Sequence, residues 1–495
     1  MKKLPLGFLL VLWLATGALA QEAPTPTQGQ NMTFGDALET MHRQNKKLSA
    51  AKKEVEEMAY EQKAAWGLRL PTVTASALFV KLDEDVALDF SEHIDGLKSG
   101  LGQLTPEAIQ KAVAGGAITP DQAKGIKTLT DGLSGVKTLM GSNLHLPTAL
   151  TLQEQSFSAV NATLMMPIYT GGKINVANKA AELRHHEASE ELRKVKGELL
   201  EELVQRYFGL RLAESVVQIR QDVLEGVGQH LNDARKLEEN GMIAEAQRLY
   251  AEMAHSEANR ELKKAEHRLE LTRTALGNTL ATKGQVVPIT ELFYTDNIES
   301  LEHFHEMAEQ YSPLIRQLDS KVELAHQKFV KERSEFLPTV FVTGNKELYQ
   351  NDLLAGLSPS WMVGAGVKWK IFDGLKRYNK MKAARKLEER ASDLNQKYSE
   401  DVRTGVEKHY RELKQALEQL TSIESSMKFA SEYLRVKEKA FKAGMAESTS
   451  VVDARLNLSK VEVERIKAMY DYDLALAKLL SLSGRSELFL DYMAR

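Results

Sequence analysis

The chain contains an internal duplication, and this feature limits its possible folds more than any other. Three motifs recur in the same order in both halves. They are Leu70-Pro71-Thr72-Val73 with Leu337-Pro338-Thr339-Val340, Ile168-Tyr169-Thr170-Gly171-Gly172-Lys173 with Ile371-Phe372-Asp373-Gly374-Leu375-Lys376, and Gly241-Met242 with Gly444-Met445. The last two motifs each return 203 residues later. Because a shared order with a fixed spacing indicates a repeated structural unit, both halves should follow one plan.

Each half has the same predicted order of elements: a helix, two strands, a very long helix and a returning helix. Thr33 and Ser300 begin the first helix of each half, and the proline of Leu-Pro limits where that helix can end. The predicted segments are a signal peptide at 1–20, an N-terminal extension at 21–32, a first repeat at 33–285, a linker at 286–300, a second repeat at 301–484 and a tail at 485–495. The predicted strands are 71–81, 157–169, 338–348 and 361–372, and the predicted long helices are 174–239, 244–276, 376–443 and 450–482.

The two copies differ in length at one point. Leu70 and Ile168 are 98 residues apart, whereas Leu337 and Ile371 are 34 apart, so the first copy carries 64 extra residues. These residues fall within an insertion at about 82–156, which is rich in glycine, leucine and threonine and contains two Thr-Pro pairs. This composition predicts an elaborated loop with short helices.

The N-terminus has the features of a secretory signal. Lys2 and Lys3 precede an apolar run from Leu6 to Leu14, and Ala18-Leu19-Ala20 forms a small-residue cleavage site. No later stretch of about 18 apolar residues follows, so a membrane crossing would require strands. The chain has no cysteine, which excludes disulfides and thiolate metal sites, and its net charge of −3 gives no nucleic-acid footprint.

The clearest strand signal runs from Trp361 to Phe372. Apolar residues alternate with a second set that includes Lys368 and Lys370, and Trp361 and Trp369 stand near the two ends like a membrane girdle. A soluble sheet with one buried face is the alternative for each strand taken singly. In a membrane, however, open sheet edges are excluded and four strands are too few to close, so several chains would have to share one barrel.

The long helices carry an apolar seam at three- and four-residue steps. Leu192, Val195, Leu199 and Leu203 form one run, and most other positions are charged or polar. This pattern is typical of coiled-coil packing. Roughly 65 residues at about 1.5 Å each give a helix of roughly 100 Å, which suits a tube across a periplasm better than a compact domain.

From about Thr33 to Gly484 the chain resembles the TolC family of outer-membrane efflux and export channels. The resemblance rests on the duplicated plan, the Leu-Pro-Thr-Val and Ile-Phe-Asp-Gly motifs, and Lys442-Ala443-Gly444-Met445 followed by Val451-Val452-Asp453-Ala454. It implies an α+β membrane protein: a homotrimer in which four strands per chain build a shared twelve-stranded transmembrane β-barrel and the coiled-coil helices build a periplasmic α-barrel. It also implies outer-membrane lipid around the barrel, a periplasmic adaptor, an inner-membrane transporter of RND, ABC or MFS type, and no cofactor. On this topology the insertion is extracellular.

The resemblance also implies a periplasmic gate lined by acidic residues. Asp453 matches one of two aspartates common at the constriction, while the second position is Ser450 and a basic latch position is Ala446. Glu447 and Glu245 lie close to the tip glycines and would add charge. A ring of three Asp453 carboxylates would favour cations. The alternative is an ordinary solvated aspartate on a helix.

The tips Gly241-Met242 and Gly444-Met445 are expected to contact the adaptor. Glycine permits a tight reversal, and methionine offers an adaptable apolar surface. The simpler interpretation is a helix hairpin turn.

Other candidate sites are weak. His185-His186 and His303-x-His305 lack acidic partners at ligand spacing, and no Ser/His/Asp set has usable context, so neither a metal site nor an enzyme is predicted. Two alternatives to efflux are kept: the outer-membrane component of type I protein secretion, and a soluble periplasmic coiled-coil scaffold.

Overall fold

The computed structural model describes residues 30–89, 105–139, 149–153, 155–282, 285–350 and 359–495. The predicted signal peptide therefore lies outside the described residues. The chain divides into two compact units: a helical unit, drawn from residues up to 63, 178–329 and 382–495, and a strand unit, drawn from 64–177 and 330–381. Each repeat contributes to both units.

The first repeat opens with a short strand and two helices: β1 (Gln30–Met32), α1 (Phe34–Gln44) and α2 (Lys46–Gly67). Thr33 caps α1 because its hydroxyl accepts from the Asp36 N–H at 3.1 Å while the Asp36 carboxylate accepts from the Thr33 N–H at 3.2 Å. The sequence predicted one helix here. The helix breaks at Asn45, whose backbone is extended and whose side chain accepts from the Leu48 N–H at 3.1 Å.

The strands of the first repeat enclose the insertion: β2 (Thr72–Lys81), β3 (Val86–Asp89), α3 (Pro106–Ala114), α4 (Pro120–Leu139), β4 (Ala149–Gln153) and β5 (Ser156–Tyr169). Both Thr-Pro pairs begin helices. Thr105 accepts from the Ala108 N–H at 3.3 Å, and Thr119 accepts from the Gln122 N–H at 3.3 Å. β3 and β4 pair antiparallel. Residues 90–104, 140–148 and 154 of the insertion lie outside the described residues.

Two long helices complete the first repeat: α5 (Lys173–Glu239, 67 residues) and α6 (Glu245–Leu280). The return helix α6 extends four residues beyond the predicted end at 276. A short strand, β6 (Val286–Pro288), follows and pairs parallel with β1, an element that the sequence did not predict.

The second repeat repeats this order: α7 (Leu301–Tyr311), α8 (Pro313–Ser334), β7 (Thr339–Gln350), β8 (Trp361–Lys368), α9 (Lys376–Lys442) and α10 (Ser448–Leu482). Ser300 caps α7 by accepting from the His303 N–H at 3.3 Å. Again two helices replace the single one predicted, because the residue before Pro313 disfavours helix. α9 has 67 residues, the same length as α5. A 3-10 turn (Ser486–Leu488) and α11 (Phe489–Met493) end the chain.

The four long strands form one antiparallel sheet in the order β2-β5-β7-β8. The prediction that β8 continues to Phe372 was wrong, because the strand ends at Lys368. Lys368 pairs with Thr339, the first residue of β7. The next partner would be Pro338, which has no N–H to donate, so the ladder stops there.

An aromatic cluster forms the centre of the helical unit. The Phe34 ring lies 5.4 Å from Tyr207, 5.2 Å from Phe208 and 5.3 Å from Phe489, and all four side chains are fully buried. Tyr207 also donates its hydroxyl to the Met32 carbonyl at 2.7 Å. Because Phe489 belongs to α11, the segment predicted only as a tail packs into this core.

Candidate functional site

The two hairpin tips have the same backbone geometry. Gly241 and Gly444 have φ values of +72° and +71°. In each tip the glycine N–H donates to the carbonyl three residues earlier, and the following methionine N–H donates to the carbonyl five residues earlier, at 2.8–2.9 Å. This is a Schellman motif, in which a left-handed residue closes the helix end, and it explains why glycine stands at both positions.

The tip methionines are exposed while the side chains behind them are packed. Met242 is 57% exposed and Met445 is 79% exposed. A Cβ built on Gly444 would lie 3.9 Å from the Met242 Cε, so the two tips are neighbours. Beneath them a small core joins both hairpins; it contains Leu231, Ala234, Ala251, Phe441 and Val451. The tips therefore expose two adjacent methionines above a packed apolar core.

The four predicted gate residues lie near these tips. Asp453 is an exposed residue of α10, Ser450 is half-buried one turn earlier, and Glu447 is the N-cap residue of α10. Burial, and after it the nearby Asp453 carboxylate, raise the pKa of Tyr250 on α6. Glu245 pairs with Arg248 at 3.3 Å on its own helix. Within one chain, Asp453 thus has an aromatic neighbour on the other hairpin, whereas Glu245 has a local ion pair.

A buried polar contact that the sequence did not predict joins the hairpins just above the tips. His230 of α5 is 6% exposed, and its Nε2 lies 2.6 Å from the Oγ of Ser448, a fully buried residue at the start of α10. The His230 ring centroid is 4.4 Å from that of Phe441 on α9. Burial lowers the pKa of His230. No local sequence signal marks this pair, because the two residues are 218 apart.

The sheet has one apolar face and one polar face. Val73, Leu164, Gly344 and Val363 lie directly opposite one another across the four strands, and Trp361 shares their face. Thr74, Thr163, Asn345 and Met362 form a row on the other face, where the Thr163 hydroxyl donates to the Asn345 Oδ1 at 3.3 Å. Val73, Val363 and Trp361 are 71%, 68% and 64% exposed, so no part of the described chain covers the apolar face.

The strand register places two of the four predicted residues of the last strand on opposite faces of the sheet and leaves the other two outside the strand. Lys368 pairs with Thr339 on the polar face, and Trp361 begins β8 on the apolar face. The prediction that Lys370 and Trp369 are strand residues was wrong, because both lie beyond the end of β8, where Pro338 stops the ladder. Trp369 is 59% exposed, and its indole Nε1 donates to the Phe336 carbonyl at 3.0 Å.

The described residues were also compared with the requirements of a metal site and of a membrane-spanning helix. His186 Nδ1 lies 3.0 Å from the Ser320 Oγ, and His305 is buried with Glu302 3.7 Å away. In the described residues, no cluster of three His, Cys, Asp or Glu side chains could hold a metal ion. Across the same residues, no helix combines the length and apolar character needed to cross a membrane.

The match to a known protein family covers one segment in each repeat. Residues 138–282 and 305–485 match the family model for "Outer membrane efflux protein". A search of curated proteins found no match.

Several solved structures share the fold. The Campylobacter jejuni CmeC outer membrane channel is 14% identical, with a TM-score of 0.66 over 92% of this chain and 86% of that one. VceC of Vibrio cholerae is 13% identical, with a TM-score of 0.68 over 91% and 96%. The open state of the Neisseria gonorrhoeae MtrE outer membrane channel is 15% identical, with a TM-score of 0.67 over 92% and 89%.

Proposed function

Because this chain belongs to the outer membrane efflux protein family, we propose that three copies form one passive duct, which carries substrate from an inner-membrane pump and a periplasmic adaptor to the cell exterior. The chain is an outer-membrane channel that extends into the periplasm, and it is not an enzyme. The energy for transport therefore comes from the pump, and this chain forms the gated channel through which the substrate passes.

The sheet carries the proposal. Its apolar face is exposed, and its outer strands β2 and β8 each have one edge that no described strand of the chain pairs with. Unpaired backbone groups cannot remain in lipid, so each β2 requires a β8 from a neighbouring copy. Three copies joined this way close a twelve-stranded barrel with Val73, Val363 and Trp361 towards lipid. The same register turns the polar face, with Lys368, towards the lumen.

Adaptor contact is assigned to the tips. Met242 and Met445 are adjacent, exposed and held by rigid Schellman turns, and such methionines adapt to an apolar partner surface. The chain has no cysteine, so Met242→Cys and Met445→Cys each introduce one reactive site. We expect both to crosslink to an adaptor in cell envelopes. Lys386→Cys, exposed on α9 but remote from the tips, is the matched control; equal crosslinking at all three positions would contradict tip docking.

Mass analysis of the same crosslinked complexes would identify the pump. An RND, ABC or MFS transporter that copurifies with the adaptor assigns the system, and the cargo class follows from that transporter.

Asp453 is assigned to the constriction. It is exposed and lies close to Tyr250 on the other hairpin, and symmetry would bring three copies together. Three carboxylates at a narrow point attract cations and repel anions. In planar bilayers, Asp453→Asn should therefore reduce cation preference and weaken block by divalent cations, whereas Glu447→Gln should have a smaller effect. Unchanged selectivity in Asp453→Asn would mean that Asp453 is an ordinary solvated residue, and would leave the channel itself unaffected.

A further inference from the structure

The turns that join the strands to the two 67-residue helices expose large apolar side chains. Ile168 and Tyr169 precede α5, and Ile371 and Phe372 precede α9. Their exposed fractions are 57%, 45%, 80% and 78%, and Ile371 is the most exposed of the large apolar residues described. Adjacent pairs of exposed large apolar side chains at two equivalent turns indicate an interaction site more strongly than single exposed residues do.

The second-repeat turn is held rigidly in this exposed arrangement. Arg377 is 8% exposed and donates from Nε to Asp373 Oδ2 at 2.9 Å, from Nη2 to the Ile371 carbonyl at 3.1 Å and from Nη1 to the Glu335 carbonyl at 3.0 Å. Trp369 adds the indole bond to the Phe336 carbonyl described above. Because these bonds fix the backbone on both sides of Ile371 and Phe372, the two side chains stay outward and do not collapse onto the protein.

Two lysines beside these side chains have no acidic partner among the described residues. Lys370 and Lys376 flank the turn, and both are exposed. Neither forms an ion pair with any residue that the structure describes, whereas Lys173, the counterpart of Lys376, pairs with Glu335 at 3.0 Å. The second-repeat turn thus combines two exposed apolar side chains with two uncompensated ammonium groups.

We propose that the turn 369–376, with Ile168 and Tyr169 of the first repeat, is an interfacial anchor that binds the anionic phospholipid headgroups of a bilayer. The apolar side chains enter the acyl boundary, and the ammonium groups of Lys370 and Lys376 contact the phosphates. A lipid surface fits better than a protein partner because Tyr169, the last residue of β5, pairs with Val340, and Val340 in turn pairs with Val367 on the apolar face of the sheet. The anchor therefore continues a surface assigned to lipid, and it rests on the proposed function.

In the proposed channel, each strand that precedes a long helix leads towards the periplasm, so the anchor would lie in the periplasmic leaflet of the outer membrane. Six such turns in a trimer, two from each chain, would set the depth of the channel in the membrane.

Spin labels test the depth. Single cysteines at Leu375 in the turn, Val363 in the sheet and Met445 at a tip carry the label in nanodiscs of phosphatidylethanolamine, with or without phosphatidylglycerol. We expect the Val363 label to be accessible to oxygen, the Met445 label to a water-soluble nickel chelate, and the Leu375 label to both, at headgroup depth. A water-exposed Val363 label would overturn the proposed channel function, whereas a fully water-exposed Leu375 label beside a lipid-exposed Val363 label would overturn only the anchor.

Lipid titration tests the lysines. Short-chain phosphatidylglycerol is titrated into the detergent-solubilised full-length protein. Lys370→Gln with Lys376→Gln should weaken binding on the order of tenfold, whereas Lys263→Gln with Lys264→Gln, which removes the same charge from α6, should leave it unchanged. Ile371→Ser with Phe372→Ser should weaken binding of both phosphatidylglycerol and phosphatidylethanolamine. Equal loss in the lysine control, or full competition by inorganic phosphate, would refute a lipid anchor.

Discussion

Asp473 is a carboxyl group enclosed in the apolar core of the helical unit, and its replacement by asparagine tests how that core tolerates it. The residue is fully buried in α10, and neither carboxyl oxygen has a hydrogen-bond partner among the described residues. The backbone of Phe293 favours the charged form, but its effect is smaller than that of burial. Burial raises the pKa of Asp473 well above its usual range.

The sign of the pH effect follows from this shift. Between the unfolded pKa near 3.8 and the raised native pKa, the unfolded chain is ionised while the native chain keeps its proton. The free energy of unfolding therefore falls as pH rises, by about 1.4 kcal/mol per pH unit. Below the unfolded pKa both states are protonated and the penalty disappears. Asparagine cannot ionise, so Asp473→Asn escapes the loss while keeping the shape and polarity of the side chain.

Thermal melting by circular dichroism in one detergent, from pH 4.5 to pH 8, measures the difference. Asp473→Asn should match the native chain near the acid end and gain stability over it as pH rises, on the order of 1–2 °C in Tm per pH unit while the native carboxyl keeps its proton. Asp491→Asn, an exposed carboxylate on α11, is the control and should leave the native profile unchanged. A Tm difference between Asp473→Asn and the native chain that stays constant across this range would refute the argument that the core holds a protonated carboxyl.

Three further substitutions test local geometry by the same melting assay. Gly444→Ala forces a Cβ onto a left-handed residue and should cost about 1 kcal/mol, whereas Gly209→Ala, within a helix and 3.8 Å from its nearest neighbour atom, should be neutral or slightly stabilising; equal losses would contradict the tip argument. Leu375→Gly should stabilise by up to about 1 kcal/mol, because Leu375 has a φ of +64°, and a lowered Tm would count against backbone strain there. Gly226→Ala puts a Cβ 1.8 Å from Arg455 Nη1, so the guanidinium must move from its place beside Glu438. Because the guanidinium ends a flexible side chain, the loss should stay below about 1 kcal/mol; in an Arg455→Ala background the same change should cost nothing, and an equal loss in both backgrounds would disprove the steric explanation.

Local signals in the sequence were sufficient for the main elements. Thr33 and Ser300 cap the helices that they were expected to begin, and the tip glycines have the left-handed backbone that such turns require. Alternation revealed the strands because each face of the sheet meets one environment over many residues. The family was recognisable because the order of these signals is preserved in both halves.

Features that depend on distant partners were not visible in the sequence. The parallel pairing of β1 with β6 brings together residues about 256 positions apart, and α11 is ordered by packing against Phe34 rather than by its own short sequence. The end of β8 at Lys368 is set by Pro338 on the neighbouring strand, so the alternation of β8 itself could not show it. His230 and Ser448 meet only because two hairpins pack side by side.

The equal length of α5 and α9 constrains how this gene can change. Each helix rises about 1.5 Å and turns about 100° per residue, so one inserted residue in α5 alone would displace its tip from that of α9 and rotate Met242 away from its neighbour. Substitutions along the helices leave the tips level, whereas an insertion or deletion is tolerated only when the other copy, or the returning helix, changes to match. The two halves can therefore diverge in composition, provided that the residue count between Lys173 and Gly241 stays equal to that between Lys376 and Gly444.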